Sequence, residues 1–151
     1  MIKEIIQKSI KEEIARKVLT NLPEWFGIEA YTQDYIKSSR DMPFLASYTN
    51  DEAIGFISLK ETSSYTAEIY CMGILKKYHH QGYGRSLLNA FESYAKQKGY
   101  KFLQVKTVEQ GSYDIYDQTI AFYKNQGFYE LEVFKTLWDQ SNPCQVFVKA
   151  L

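Results

Sequence analysis

Apolar positions recur along this chain with two different periods, and their order predicts a mixed fold. Stretches of alternating apolar and polar residues, or short apolar runs, are typical of strands, whereas apolar residues three or four positions apart are typical of helices. The predicted strands are 1–8, 44–48, 53–59, 65–75, 102–107, 128–136 and 144–150. The predicted helices are 10–20, 25–38, 86–97 and 115–126.

Local signals refine the ends of these elements. Ser9 and Glu12 have the spacing of a capping box ahead of the first helix, and Gly99 stands where a glycine commonly ends a helix. The pair Asn142-Pro143 predicts the turn between the last two strands. The pattern therefore predicts one α/β domain over residues 1–151, with a mixed sheet of about seven strands and about four helices.

The most informative segment joins the strand at 65–75 to the helix at 86–97, and it reads His79-His80-Gln81-Gly82-Tyr83-Gly84-Arg85-Ser86. Gly82 and Gly84 let backbone amides approach a ligand, and a helix that begins here adds free N–H groups and the positive end of its dipole. The segment lacks the Gly-Lys-Ser/Thr ending of a P-loop and the third glycine of a dinucleotide fingerprint. It therefore predicts a site for a different phosphate-bearing ligand.

Composition limits the classes of partner. The 18 Lys and Arg residues balance 18 Asp and Glu residues, so no overall field favours nucleic acid or an anionic membrane surface. No apolar stretch approaches the ~18 residues of a membrane span. Cys71 and Cys144 lie far apart without a Cys-x-x-Cys spacing, which predicts reduced thiols, no metal site and a cytoplasmic location.

Three segments, taken in order, resemble the GNAT superfamily of acetyl-CoA-dependent N-acetyltransferases. They are the strand at 68–74, the loop His79-x-x-Gly82-x-Gly84, and 122–128, which is similar to the family's Phe/Leu-Tyr-x-x-x-Gly-Phe signature. The resemblance implies the GNAT fold, with a splay between its two central parallel strands, and acetyl-CoA as cosubstrate. Two positions depart from the family pattern: His79 replaces Gln or Arg, and Tyr116 replaces a common asparagine.

The resemblance also implies which residues bind the coenzyme. The strand end would hold the thioester carbonyl and pantetheine through backbone groups, and Gly73 would allow their close approach; an ordinary strand glycine at a bulge is the alternative. His79 and His80 are expected to contribute their backbones, because the phosphate end of the coenzyme lies far from its sulfur. The implied coenzyme-binding residues are Met72, Gly73, Ile74, His79, His80, Gln81, Gly82, Tyr83, Gly84, Arg85, Ser86 and Tyr116.

Glu68 is the candidate general base for the acceptor amine. Acetyl transfer requires that the amine lose a proton, and a carboxylate on a central strand is rarely buried unless it is paired or faces a cleft. By a period of two, Glu68 shares a strand face with Tyr70 and Met72, opposite Ile69 and Cys71. A solvated glutamate, a structural ion pair and a water relay in place of a direct base are the alternatives.

Tyr123 is the candidate general acid for the departing thiolate, and its position in the family signature implies this role. A phenol with a pKa near 10 can donate a proton to a thiolate. The chain holds 13 tyrosines, so a packing role is the alternative. Cys71 as an acylated nucleophile is disfavoured, because the predicted strand directs it away from Glu68 and no base accompanies it.

The acceptor side is less well specified. By resemblance, Trp25 and Phe26 lie where the GNAT fold overhangs the acceptor; they can form a wall for an amine or fill the core between helices and sheet. The chain is expected to transfer acetyl from acetyl-CoA to a primary amine by direct transfer in a ternary complex. A non-catalytic module that binds acyl-CoA is the alternative. The final strand, 144–150, is predicted to be an apolar sheet edge that a second copy could cover.

Overall fold

Seven strands and four helices make up the fold, and the computed structural model describes all 151 residues. The strands are β1 (Ile2–Glu4), β2 (Phe44–Thr49), β3 (Glu52–Ser63), β4 (Thr66–Ile74), β5 (Phe102–Val108), β6 (Tyr129–Asp139) and β7 (Asn142–Ala150). The helices are α1 (Lys8–Thr20), α2 (Glu29–Ser39), α3 (Tyr83–Gln97) and α4 (Asp114–Asn125). The predicted α/β class and the numbers of strands and helices are confirmed. None of the helices combines the length and apolar character that a membrane crossing requires.

The strands form one sheet in the order β1-β2-β3-β4-β5-β7-β6, in which β4 and β5 are the only parallel neighbours. Their pairing joins Thr66–Ile69 to Phe102–Val105 and ends there, although β4 continues to Ile74. The last part of β4 therefore separates from β5. This is the splay between central parallel strands that the sequence led us to expect.

A bulge in β4 changes which side chains share a face. Ser58 of β3 pairs with Cys71, but the next residue, Leu59, pairs with Ile69, so Tyr70 is an extra residue in β4. Ile69 packs into the core beneath α3, whereas Cys71 packs into the core beneath α1. The predicted strict alternation is therefore wrong beyond Tyr70.

The consequence falls on the predicted site residues. Met72 packs on the α3 side of the sheet, away from the face that carries Glu68 and Tyr70, and Cys71 lies on the side predicted for Met72. One inserted residue reverses the orientation of all the residues that follow. The bulge thus places predicted site residues on both faces of the sheet.

The helices cover the two faces unequally. On one face, α3 and α4 pack on a core that includes β4, β5 and β7. On the other face, α1 and α2 pack on a core whose strand residues come from β2, β3 and β4. Ile5, which follows β1, also belongs to this core. No side chain of β5, β6 or β7 joins that second core. The face of β5 beside Glu68 is therefore open to a ligand.

The first helical region differs from the prediction at two points. α1 begins at Lys8 after Gln7, and no side chain caps it, so Ser9 lies inside the helix and the predicted capping box is wrong. The second helix begins at Glu29, not at 25. Trp25 and Phe26 instead form a turn, because both of their amides donate to the Leu22 carbonyl, at 3.1 and 3.0 Å.

The C-terminal hairpin also differs from the prediction. The turn spans Asp139 to Asn142, where Asp139 Oδ1 accepts from the Asn142 amide at 2.8 Å, and Pro143 lies within β7. β7 is paired on both sides, by β5 and β6, so the prediction that the final strand forms a sheet edge is wrong. At this end of the sheet the edge strand is β6. Its exposed apolar side chains are Tyr129, Leu131, Phe134, Leu137 and Trp138.

Candidate active site

The segment after β4 presents a row of unbonded backbone amides. The N–H groups from Gln81 to Arg85 have no acceptor in the chain, and the first intrahelical bond of α3 runs from Ser86 to the Gly82 carbonyl at 3.1 Å. His80 and Gly82 adopt left-handed conformations, with φ of 60° and 88°. These turns direct consecutive N–H groups to one place at the positive end of α3, which is an arrangement that binds phosphate. Arg85 is exposed and forms no ion pair, so its charge is free beside the row.

The start of α3 lies against α4 and the end of β4. A Cβ at Gly84 would lie 3.5 Å from the Phe122 ring and 3.8 Å from Met72 Cε. Met72 is therefore close to the amide row. Tyr83 also contacts Tyr78 edge-on, with ring centroids 5.6 Å apart, which fixes the start of the helix against the preceding loop.

Gly73 is required for a different reason from the one the sequence suggested. A Cβ at this position would lie 2.8 Å from Val18 Cγ1 and 3.2 Å from Leu22 Cδ1. Both atoms belong to the α1 layer. Because a Cβ at Gly73 would point toward α1, the absence of a side chain makes room for this helix and does not open space for a ligand.

His79 acts through its side chain as well as its backbone. Its Nε2 lies 2.6 Å from the carbonyl oxygen of Ile74, and its ring contacts Trp25 edge-on at a centroid distance of 5.6 Å. The expected backbone role of His79 toward the coenzyme stays a prediction, and its side chain adds a structural contact. Its imidazole ties the end of β4 to the turn that holds Trp25.

Tyr123 lies in the core beneath α4, next to the splay. Its ring contacts Phe122 and Phe128 edge-on, and its hydroxyl makes no hydrogen bond within the chain. Burial raises the pKa of the Tyr123 phenol well above its usual value, and the nearby Cys71 thiol raises it further. The hydroxyl thus keeps its proton at neutral pH and has no hydrogen-bond partner within the chain.

Glu68 is buried and partly paired. Its Oε1 accepts from Gln104 Nε2 at 2.8 Å and lies 3.2 Å from Lys106 Nζ, whereas Oε2 makes no hydrogen bond within the chain. Only 6% of its side chain is exposed. Glu68 is therefore held by an ion pair through one oxygen, while its second oxygen is free to accept a proton.

Aromatic rings form a wall beside Glu68. Phe26 contacts Tyr35 of α2, and Tyr35 contacts Tyr70 of β4, in both cases edge-on with centroids 5.8 and 5.4 Å apart. Burial raises the pKa of Tyr35 to about 12, with smaller contributions from Cys71, Tyr70, Tyr116 and Glu68. Tyr35 is thus close to groups from β4 and α4. Phe26 lies at the border of this wall and of the core beneath α1.

Tyr116 links α4 to the turn between the first two helices. Its hydroxyl donates to the Trp25 carbonyl at 3.0 Å, and burial raises the pKa of its phenol. The side chain that stands in place of the family's asparagine therefore closes one end of the cleft. Its contact is with the predicted acceptor wall.

Sequence reasoning missed three residues of the site. Tyr35, Gln104 and Lys106 converge on Glu68 or Tyr70. Gln104 and Lys106 alternate with the apolar Leu103 and Val105, a signal that both face away from the core. That these two side chains lie beside Glu68 of β4 could not be deduced without the sheet order.

The two cysteines do not have the environment of a nucleophile. Cys71 and Cys144 are free and buried, and burial raises the pKa of both thiols. A thiol with a raised pKa holds little of the reactive thiolate at neutral pH. The chain also brings together no group of three His, Cys, Asp or Glu residues suited to a metal ion.

Solved structures share the fold at low sequence identity. The chain is similar to Ard1 from Thermoplasma volcanium, with a TM-score of 0.77 and 17% identity over 100% of this chain and 97% of that one. It is similar to a GNAT family acetyltransferase from Elizabethkingia anophelis with acetyl-CoA bound, with a TM-score of 0.67 and 21% identity over 83% and 84%. An aminoglycoside 6'-N-acetyltransferase from Enterococcus faecium has a TM-score of 0.76 and 16% identity over 99% and 96%.

The sequence itself assigns the family. A search of the curated proteins finds no match to this chain. The model of the acetyltransferase (GNAT) family matches residues 10–128, which include most of α1, all of α2, the amide row and Tyr123. The match covers most of the chain and agrees with the splayed sheet. The chain therefore belongs to the GNAT acetyltransferase family.

Proposed function

We propose that this protein transfers an acetyl group from acetyl-CoA to a primary amine, by direct transfer in a ternary complex. The observation that carries the proposal is the row of unbonded amides from Gln81 to Arg85, directly beside the part of β4 that leaves β5. Acetyl-CoA would supply a thioester activated for attack. An amine and a thioester that enter from opposite faces of the splay would meet without a covalent enzyme intermediate.

The backbone would bind and orient the coenzyme. The amides of Gln81 to Arg85 would donate to its pyrophosphate, and the exposed Arg85 adds a positive charge nearby. No strand pairs with the β5 side of β4 from Met72 to Ile74, where His79 binds the Ile74 carbonyl oxygen and the other backbone groups on that side are free of the sheet. They would fix the pantetheine arm and polarise the thioester carbonyl.

Tyr123 would donate a proton as the carbon–sulfur bond breaks. A phenol is protonated at neutral pH even at its ordinary pKa near 10, and the Tyr123 hydroxyl has no competing hydrogen-bond partner in the chain. A hydrogen bond to the sulfur would stabilise the developing thiolate. Solvent would then return the proton to Tyr123.

Glu68 would accept the proton that the amine must lose. Oε2 is the free oxygen of its carboxylate, and Gln104 and Lys106 fix the orientation of the group through Oε1. An alkyl amine has a pKa of about 10.4, so at neutral pH most of it needs a base, either directly or through one water molecule.

The compartment is part of the proposal. Both cysteines are free and buried. Unpaired thiols are typical of proteins in a reducing environment. We therefore propose a cytoplasmic location, which fractionation of cells that express the tagged protein would test.

Ligand-dependent melting and thiol release together test the activity. A ligand at 100 times its Kd adds about 2.7 kcal/mol to the free energy of unfolding. We expect acetyl-CoA and CoA to raise the Tm, ATP to leave it unchanged, and at least one member of an amine panel to release CoA thiol. Stabilisation by ATP alone would contradict the proposal. Stabilisation by acetyl-CoA with no turnover of any amine would instead indicate an acyl-CoA-binding module.

A further inference from the structure

Two lysines flank the one carboxylate of the acceptor side. Lys60 of β3 lies directly across from Glu68, and Lys106 of β5 lies 3.2 Å from its Oε1. Residues that lie directly across from each other on neighbouring strands point to the same face of the sheet. Gln104 of β5 pairs with Glu68, and Lys106, two residues further along β5, points to the same face as Gln104. All four side chains therefore lie on the open face of the sheet. Together Lys60, Lys106 and Glu68 carry a formal charge of +1.

Both ammonium groups keep donors for a ligand. Lys60 Nζ makes no hydrogen bond or ion pair within the chain, and it lies 5.9 Å from the centroid of the Tyr70 ring. Lys106 contacts only Glu68, and 30% of its side chain is exposed. A lysine ammonium has three N–H donors. The acceptor side is therefore supplied with donors that an anionic group would satisfy.

The aromatic wall does not offset this charge. Its members Phe26, Tyr35 and Tyr70 offer ring faces and phenols. An acceptor with several ammonium groups would place like charges near Lys60 and Lys106, and such a juxtaposition selects against it.

We propose that the acceptor is an amino acid with a free carboxylate close to the amine that is acetylated. This inference rests on the proposed function. The amine lies at Glu68 Oε2, and the carboxylate accepts from Lys106 and Lys60. The two subsites are adjacent, because Lys106 contacts the other oxygen of the Glu68 carboxylate. The side chain of the amino acid lies against Tyr35 and Tyr70.

Matched acceptors test the carboxylate directly. The probes are phenylalanine and phenylalaninamide, leucine and leucinamide, and spermidine as a polycation, each with acetyl-CoA and thiol detection. Each kcat/KM is divided by the fraction of the acceptor that is neutral amine at the assay pH, so that the different amine basicities of acid and amide do not decide the result. We expect kcat/KM for each free acid to exceed that of its amide at least tenfold, with spermidine the poorest acceptor.

Lys60 gives the decisive variant, because it does not hold Glu68 in place. Lys60→Gln should lower kcat/KM for the free acids about tenfold and for the amides less than twofold, and Lys60→Glu should reverse the preference. Lys101→Gln is the matched control, since this exposed lysine lies outside the site. It should leave both classes unchanged.

The outcomes separate this inference from the function on which it rests. An amide or spermidine that is acetylated faster than the free acids would overturn the inference and leave the acetyltransferase activity standing. Equal effects of Lys60→Gln on acids and amides would also overturn it. Absence of turnover with every amine, in a protein that acetyl-CoA stabilises, would overturn the proposed function and the inference together.

Discussion

The two halves of this site are built from different parts of the chain. The coenzyme half consists of backbone groups: the amides from Gln81 to Arg85 and the end of β4. The acceptor half consists of side chains from four elements, including Glu68 of β4, Lys106 of β5 and Tyr35 of α2. The halves meet at the bulge at Tyr70, where β4 changes the faces to which its residues point.

This difference separates what is general in the protein from what is specific. A backbone cradle recognises a phosphate by its geometry and tolerates many side chains, so it suits a cosubstrate shared across a family. Side chains that converge from separate elements select by charge and shape, and each can be exchanged alone. We therefore expect substitutions in the coenzyme half to act through backbone conformation and those in the acceptor half through chemistry.

The largest expected effect is at the junction of the two halves. Tyr123→Phe removes the proposed proton donor and preserves the ring that packs on Phe122 and Phe128. We expect kcat to fall about 100-fold, within the range for general acid catalysis, while the Kd for CoA changes less than twofold. Single-turnover kinetics and calorimetry measure the two. Tyr129→Phe, at an exposed tyrosine, is the control. An unchanged kcat in Tyr123→Phe would remove this residue from the mechanism.

A smaller effect is expected from the acceptor half. Glu68→Gln keeps the size of the side chain and removes the carboxylate that faces the amine. We expect the rate to fall about tenfold or more at pH 7 and the loss to shrink as the pH rises toward the pKa of the amine, about 10.4 for an alkyl amine, above which most of the amine is neutral without a base. A pH profile of kcat/KM checks this. A parallel loss at every pH would point to a positioning role, and an unaltered profile would point to water or another base.

In the coenzyme half, substitutions are expected to change CoA binding through backbone conformation. Gly82→Val introduces a β-branched residue at a φ of 88°, where it is strained, although no atom lies within 4 Å of the new Cβ. We expect the Kd for CoA to rise about tenfold, since each 1.4 kcal/mol of lost binding is tenfold. Gly99→Val is a matched control, because Gly99 has a φ of 90° and equal space at the other end of α3. Equal effects of the two variants on CoA binding would contradict a specific role of the amide row.

The smallest effect is expected beneath the bulge itself. The buried Ser58 hydroxyl lies 3.0 Å from Ser39 Oγ and 3.4 Å from the Cys71 carbonyl oxygen. Ser58→Ala should lower the free energy of unfolding by about 1 to 3 kcal/mol, because it leaves the Ser39 hydroxyl buried without its partner. The double variant with Ser39→Ala should cost less than the sum of the two single variants. Urea unfolding measures the cycle, and simple additivity would show that the two hydroxyls do not act as a pair.

Much of the fold could be predicted because its signals are local. The strand at 65–75, the glycine segment and the helix after it lie in one continuous stretch, and the left-handed φ of Gly82 is a conformation that favours glycine. The errors in the sheet arose where a distant contact decides the structure. The bulge at Tyr70 depends on the pairing of Ser58 with Cys71, and the place of β7 inside the sheet depends on β6.

The sequence by itself determined the order of the elements, the family and the place of the amide row from Gln81 to Arg85, since all three follow from patterns of residues close to one another in the chain. Only the tertiary structure decided that Glu68 is held by Gln104 and Lys106, and that Lys60 stands beside it. These residues come from three strands. Their meeting depends on sheet order and register, which are set by the packing of the whole domain and not by any local pattern.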